Sequence, residues 1–220
     1  MKNNIKKSLF VFILILLFNS CIGMSMDIQL NNNGSGRLSI EYRISHALNN
    51  LGALDGNVSF PVIPAGKEDI ERTIQRIPGM KLLSYSSRQT ERDMIINVNM
   101  EFDSPQALLA FIDPQGNKAS IINNGQSGIF ELIIINNEFD ITRYDENLIP
   151  LMRTFFNDYD FTINFTASGN SSITITDGER NIISSPSSLT TTRQGRRVSL
   201  SMNIVDILTY EGGFGIKINW

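Results

Sequence analysis

From Met24 onward the chain alternates apolar and polar residues: Met24, Met26, Ile28 and Leu30 fall on one side, Ser25, Asp27, Gln29 and Asn31 on the other. That period of two predicts a half-buried strand. Asn32, Asn33, Gly34, Ser35 and Gly36 suit a tight turn, and Leu38, Ile40, Tyr42 and Ile44 then resume the alternation, so the two runs predict an antiparallel hairpin. Residues 47–65, with Gly52, Gly56, Pro61 and Pro64, read as a connection that holds a short strand at 58–63. The period lengthens over residues 67–77. There Ile70, Ile74 and Ile77 share a stripe, Glu68, Asp69 and Glu71 lie in the first turn, and Pro78-Gly79 end the helix.

Strands are predicted at 80–86 and 96–102 around a polar loop, residues 87–93. Ser104 is placed to cap a second helix with Pro105 at its first position and Leu108, Leu109 and Ile112 along one face. Strands at 119–123 and 129–135 flank another glycine-containing turn, and a third helix is expected over 147–156, with Pro150 in its first turn. Further strands follow at 161–166, 172–176, 181–184, 198–207 and 214–220, with 184–194 as a flexible loop or subdomain edge. Hairpins mixed with helices, without strict strand-helix alternation, predict the α+β class. The expected architecture is an antiparallel sheet or sheets built from hairpins, with about three short amphipathic helices packed on one face.

Ahead of this pattern stand Lys2, Lys6 and Lys7, the apolar run 9–18, and Asn19-Ser20-Cys21. They read as an export signal over residues 1–20, which leaves residues 21–220 as a single domain. The apolar stretch is well short of the roughly 20 residues that a membrane-crossing helix needs. An ordinary secretory signal, with Cys21 left as a thiol, is the competing reading. The segment resembles the lipobox of bacterial lipoproteins in its relaxed, spirochaete-like form: Ser20 fits the pattern, Leu17 lies one place further back than usual, and Phe18 and Asn19 depart from it. The resemblance implies a diacylglyceryl thioether on Cys21, cleavage before it, and a further acyl chain such as palmitate on the new amino terminus. Two or three chains hold a domain on a bilayer durably where one does not. Ile22 stands where an aspartate in some diderm bacteria retains a lipoprotein on the inner membrane, so the outer membrane is the expected location, on its periplasmic or its surface face.

A second resemblance rests on Ile28-Gln29-Leu30 with Gly34-Ser35-Gly36, on Phe102-Asp103-Ser104-Pro105 with Leu108 opening a helix, and on a last strand ending at Trp220. Together these look like the LppM-type domain of bacterial lipoproteins. It implies an envelope-facing, lipid-associated domain rather than an enzyme, and supplies no active site.

Loss of the three leading lysines takes the formal charge from -3 to -6. A mildly acidic surface argues against nucleic acid as a partner, since that binding needs clustered cations against phosphates. Arg193, Arg196 and Arg197 make the one basic cluster, read as a solvated loop with a headgroup or polyanion site as the alternative. The chain has one cysteine and one histidine, which rules out an internal disulfide and a Cys/His zinc site built from one chain.

His46 is the sole candidate for a histidine base, but no Gly-x-Ser-x-Gly elbow accompanies it, so a boundary histidine is the simpler reading. Asp158 with Asp160, and Asp145 with Glu146, could offer oxygen ligands to calcium, yet they lack EF-hand spacing and suit turns or caps. Gly34-Ser35-Gly36 has no following helix and lysine and is a turn rather than a phosphate loop. Tyr42, Phe130, Phe155, Phe156, Phe161, Phe165, Phe214 and Trp220 are assigned to the core, with an acyl-chain pocket among them as the alternative. A terminal strand ending on Trp220 also occurs in outer-membrane barrels, but the intervening helices and short strands oppose that reading. No catalytic residue, metal or cofactor is assigned. The expected function is a lipid-anchored, non-catalytic binding or structural module of the cell envelope, whose partners are the bilayer through Cys21 and an envelope protein. The alternatives are a carrier of a hydrophobic ligand and a hydrolase with a concealed carboxylate site.

Overall fold

The alternation that opens the chain becomes a hairpin of β1 (Ile22–Leu30) and β2 (Gly36–Ser45), in a computed structural model that describes residues 22–46, 66–136 and 148–220. Helix α1 (Lys67–Gln75), the hairpin β3 (Met80–Gln89) and β4 (Asp93–Phe102), and helix α2 (Pro105–Ile112) come next. The hairpin β5 (Ala119–Asn123) and β6 (Gly128–Ile135) then precedes α3 (Leu148–Phe156), β7 (Asp160–Thr166) and β8 (Ser172–Thr176). A last hairpin, β9 (Thr190–Gln194) and β10 (Arg197–Asn203), leads through α4 (Ile204–Leu208) to β11 (Phe214–Asn219). The α+β class holds. The eleven strands among the described residues form a seven-stranded sheet, β3-β4-β2-β1-β7-β10-β9, and a four-stranded sheet, β5-β6-β11-β8.

Register converts the sequence pattern into two chemically distinct faces. On the inner face Leu82, Met100, Leu38, Ile28, Phe165 and Val198 line up across six strands, and Tyr85, Val98, Ile40, Met26, Ile163 and Leu200 form the adjacent row. Most of these are buried, and they join Phe130, Ile216 and Ile218 of the smaller sheet, with Ile70 and Ile74 of α1 and Ala107 and Leu108 of α2, in one core. Ser104 caps α2 through its side chain, which accepts from the Ala107 N–H at 3.3 Å, and Pro105 begins the helix, as its fixed φ favours.

Every sheet pair is antiparallel except β1 with β7, which run parallel from Met24 opposite Phe161 to Gln29 opposite Thr166. The two sheets meet at an aromatic stack. Phe165 of β7 lies 5.6 Å from Phe130 of β6, with ring planes 11° apart, and 5.2 Å from Trp220. Gly128 and Trp220 exchange backbone hydrogen bonds of 2.9 and 3.1 Å, and a Cβ on Gly128 would run into the indole.

Several elements differ from the sequence reading. The region 198–207 is not one strand: Asn203 Oδ1 accepts from the Val205 N–H at 3.0 Å, and this cap starts α4. Residues 181–184 supply only an isolated bridge, Ile182 to Thr176, not a strand. The expected loop 184–194 ends in an edge strand, β9, because Thr190 to Gln194 pair with β10. The hairpin β3–β4 is longer than expected and its polar loop shorter. Among the described residues there are four helices, and the third builds a separate cluster in which Met152 and Phe156 pack with Tyr159 and Val205. The strand predicted at 58–63 lies outside the described residues.

Phe165 is fully buried, so Phe165→Ala is expected to cost about 3–5 kcal/mol in urea unfolding through lost burial and a residual cavity. Ser39→Ala, on the polar face, should change stability by less than about 0.5 kcal/mol.

Candidate functional site: the polar sheet face and its clefts

The outer face of the large sheet is as consistently polar as the inner one is apolar. Ser84, Asn99, Ser39, Asp27, Asn164, Ser199 and Thr192 form one row across all seven strands. Lys81, Glu101, Arg37, Gln29, Thr166, Arg197 and Gln194 form another. Neighbours within the rows satisfy one another. Asn99 Nδ2 donates to Ser84 Oγ at 2.8 Å, Ser199 Oγ to Asn164 Oδ1 at 2.6 Å, and Thr162 and Ser201 share a hydrogen bond of 2.9 Å. Arg37 pairs with Glu101 at 3.2 Å and Arg197 with Asp27 at 2.8 Å, so charge on this face is largely balanced within it.

A cleft lies at each end. The one beside the β1–β2 turn has a volume of about 630 Å³ and is lined by Gln29, Asn31, Ser35, Arg37, Lys81, Glu101 and Asp103, together with Gly36, Gly79 and Phe102. It presents two cations, two carboxylates, two amides and a hydroxyl. The other, about 200 Å³, sits where β1 begins and brings Glu41, Asp158 and Asp160 around Arg43.

Beneath the smaller cleft is a buried polar network. Tyr159 donates to Asp93 Oδ1 at 2.6 Å, and Arg43 donates to Oδ2 at 2.9 Å while its guanidinium stands 5.8 Å from the centre of the Tyr159 ring. Burial pushes the Asp93 carboxyl up, but the Tyr159 and Arg43 hydrogen bonds outweigh it, and the group is held below the usual carboxylate range. Arg43 Nε is buried with no hydrogen-bond partner among the described residues. Asp113 follows the same logic at the end of α2: burial raises it, and N–H donors from Ala119, Lys118 and Gly116 bring it down. Both carboxylates tie elements together.

A third recess is apolar. It measures about 150 Å³ and lies between α1 and the inner sheet face, lined by Ile40, Tyr42, Ile70, Thr73, Val98, Met100 and Phe111. Burial raises the Tyr42 phenol above its ordinary value.

Of the residues singled out in the sequence, Cys21, Asp145 and Glu146 lie outside the described residues. Asp158 and Asp160 are brought together, but Asp158 is paired with Arg92 at 2.8 Å, and the described residues contain no cluster of three or more His, Cys, Asp or Glu side chains able to hold a metal. His46 directly follows β2, and its Nε2 lies 2.9 Å from the Thr90 carbonyl, which only accepts, so Nε2 carries the proton. Gly34 has φ +86° and serves the β1–β2 turn. Arg193 and Arg197 lie in the strands of the β9–β10 hairpin, and only Arg196 sits in its two-residue turn, after Gly195 at φ +61°. Phe130, Phe156, Phe161, Phe165, Phe214 and Trp220 are core residues as expected, and Tyr42 packs against the core. Asp93, Tyr159 and Arg43 were not legible as a unit, because the three come from distant parts of the chain.

No protein-family model matches this sequence, and no curated protein matches it. Among solved structures, the NMR structure of the folded domain of LppM from Mycobacterium tuberculosis aligns over 91% of this chain and 89% of that one, with a TM-score of 0.44 and 10% identity. No described helix is long and apolar enough to cross a membrane.

The folded-state acidity of Asp93 has a definite sign. A depressed carboxyl lends stability above its unfolded value, about 3.9, and that stability disappears as pH falls through the lower folded value. Asp93→Asn should therefore lose about 1.5–3 kcal/mol at pH 7, the range for hydrogen bonds to a charged group. The gap to the unaltered protein should narrow in urea titrations at progressively lower pH.

Proposed function

We propose that this protein is a cell-envelope lipoprotein, held at the bilayer through acylated Cys21, whose folded part is a non-catalytic binding module. The carrying observation is the position of β1. It begins at Ile22, one residue after the predicted attachment point, and it is the central strand of the seven-stranded sheet. A tether there leaves no linker, so the sheet stands on the membrane by its middle strand. The nine residues of β1 rise ~3.3 Å each, which sets the larger polar cleft roughly 25–30 Å above the lipid attachment and the smaller one beside it.

Size separates this reading from the carrier. Ligand pockets usually enclose about 300–1,000 Å³, a range that the 630 Å³ polar cleft meets. The apolar recess, about 150 Å³, matches a cavity that admits a benzene-sized molecule and would take only a short stretch of an acyl chain. A polar ligand or partner in the outer cleft is therefore the first reading. A hydrophobic ligand under α1 is the second.

Replacing Cys21 with Ser in the native host should abolish incorporation of labelled palmitate and shift the protein from the detergent phase into the aqueous extract. Undiminished labelling of the variant removes the anchor. For the choice of ligand, native mass spectrometry of the purified protein should show no bound lipid beyond the covalent chains. A stoichiometric adduct lost on Val98→Trp, which fills the recess, would transfer the assignment to the carrier.

A further inference from the structure

We propose that β9 is a docking edge that accepts an extended acidic segment of another protein as an eighth strand of the large sheet. This goes beyond the anchored binding module and does not depend on either cleft.

Exposed strand edges invite unwanted pairing, and folded proteins blunt them with bulges, covering elements or charge. Three of the four sheet edges among the described residues are treated in this way. β3 carries an irregularity between Leu82 and Ser84 and has α1 packed beside it. β5 is flanked by α2, and Asp113 engages the backbone N–H groups of Lys118 and Ala119 at its start. Beyond β8 the chain folds back, so that Ile183 N–H bonds to Ile175 at 3.1 Å and Ile182 bridges Thr176. Among the described residues β9 has neither bulge nor covering element: it runs without irregularity, contains no proline, exposes all five of its residues, and carries a single charge, Arg193.

The hairpin fixes which groups are open. Gln194 and Arg197 flank a two-residue turn opened by Gly195, so they form the hydrogen-bonded pair that closes it. Alternation then pairs Thr192 with Ser199 and Thr190 with Ser201 in the same way, and turns the N–H and C=O of Thr191 and Arg193 to the free edge. A strand laid there gains main-chain hydrogen bonds without disturbing β10.

Charge selects the occupant. Arg193 and Arg196 are exposed, whereas Arg197 is already paired with Asp27. A second copy of this chain, joined edge to edge by a two-fold axis through the middle of β9, would bring the two Arg193 side chains together inside the ~10 Å screening length at 0.1 M salt. An extended segment with acids at alternate positions presents them all on one face and meets these cations instead.

The test uses the full chain in phosphatidylcholine nanodiscs, with a synthetic peptide alternating glutamate and threonine as the probe. At a peptide concentration near ten times the dissociation constant, the Thr191 and Arg193 amides should exchange with deuterium about tenfold more slowly. The same peptide with lysine for glutamate should give no protection. Thr191→Pro removes an outward donor that β10 does not use and should weaken the peptide's effect at least severalfold. Should that variant fail to fold, Arg193→Glu with Arg196→Glu is expected to reverse the preference toward the lysine peptide. Unchanged exchange at β9 with the acidic peptide, or equal protection by both peptides, overturns the proposal. So does protection that appears with phosphatidylglycerol nanodiscs while the peptide does nothing, which would assign the arginines to lipid headgroups.

Discussion

Phe165 is the point on which both sheets close. Its ring contacts Phe130 and Trp220, which belong to the smaller sheet and its end, while its backbone lies in β7 between β1 and β10. This requires the chain to return, after the three described hairpins and three helices that precede β7, and set β7 parallel to the first strand. Parallel neighbours cannot be joined by a tight turn, so the pairing depends on the packing of distant residues. Aromatic stacking beyond simple burial contributes about 0.5–1.5 kcal/mol per pair, and two such pairs meet at one ring here. Once β7 is fixed against β1, its Thr162, Asn164 and Thr166 can only extend the polar face, because side chains alternate along a strand.

The sequence was most informative where structure is local. Met24 to Ile44 announced their strands, turn and faces by alternation alone, and Ser104-Pro105 marked the start of α2 through a cap that the structure contains. Two misreadings have separate causes. Val205 and Ile207 look like strand residues, but Asn203 diverts the backbone into α4 by capping it, and its Nδ2 also donates to the carbonyls of Asn157 and Tyr159. Thr190, Thr191 and Thr192 offered no apolar alternation, since an edge strand exposed throughout needs none. The division into two sheets left no trace that periodicity could reveal, because it is decided by contacts between residues far apart.

The same limit hid the site. Asp93 gave no sign of burial, since it opens a strand after a polar loop, and its partners are Arg43 on β2 and Tyr159 beyond α3. A buried carboxylate is tolerated when its hydrogen bonds are supplied, and here a phenol and a guanidinium supply them. The arrangement fixes the end of the sheet where β1 enters it: Tyr159 lies against Gly23, where a Cβ would stand 3.5 Å from the ring. The expectation for Cys21 rests on a signal of the opposite kind. Signal and attachment features are read from the linear chain before it folds, so they must be local in sequence.

Anchoring and edge chemistry bear on each other through the strand order. With β1 central, the lateral edges of the large sheet are β3 on one side and β9 on the other, and β9 lies three strands from β1, about 14 Å at the usual spacing. If the sheet stands on the bilayer by β1, both edges face along the membrane plane rather than into it, where envelope neighbours diffuse. An edge turned toward lipid would have to be covered, because unpaired backbone groups are costly away from water. An edge turned sideways carries no such penalty and is restrained only by the risk of self-association. Arg193 on that edge, on a chain whose formal charge is negative, would set like charges against each other between copies and would still admit the acidic segment proposed for it.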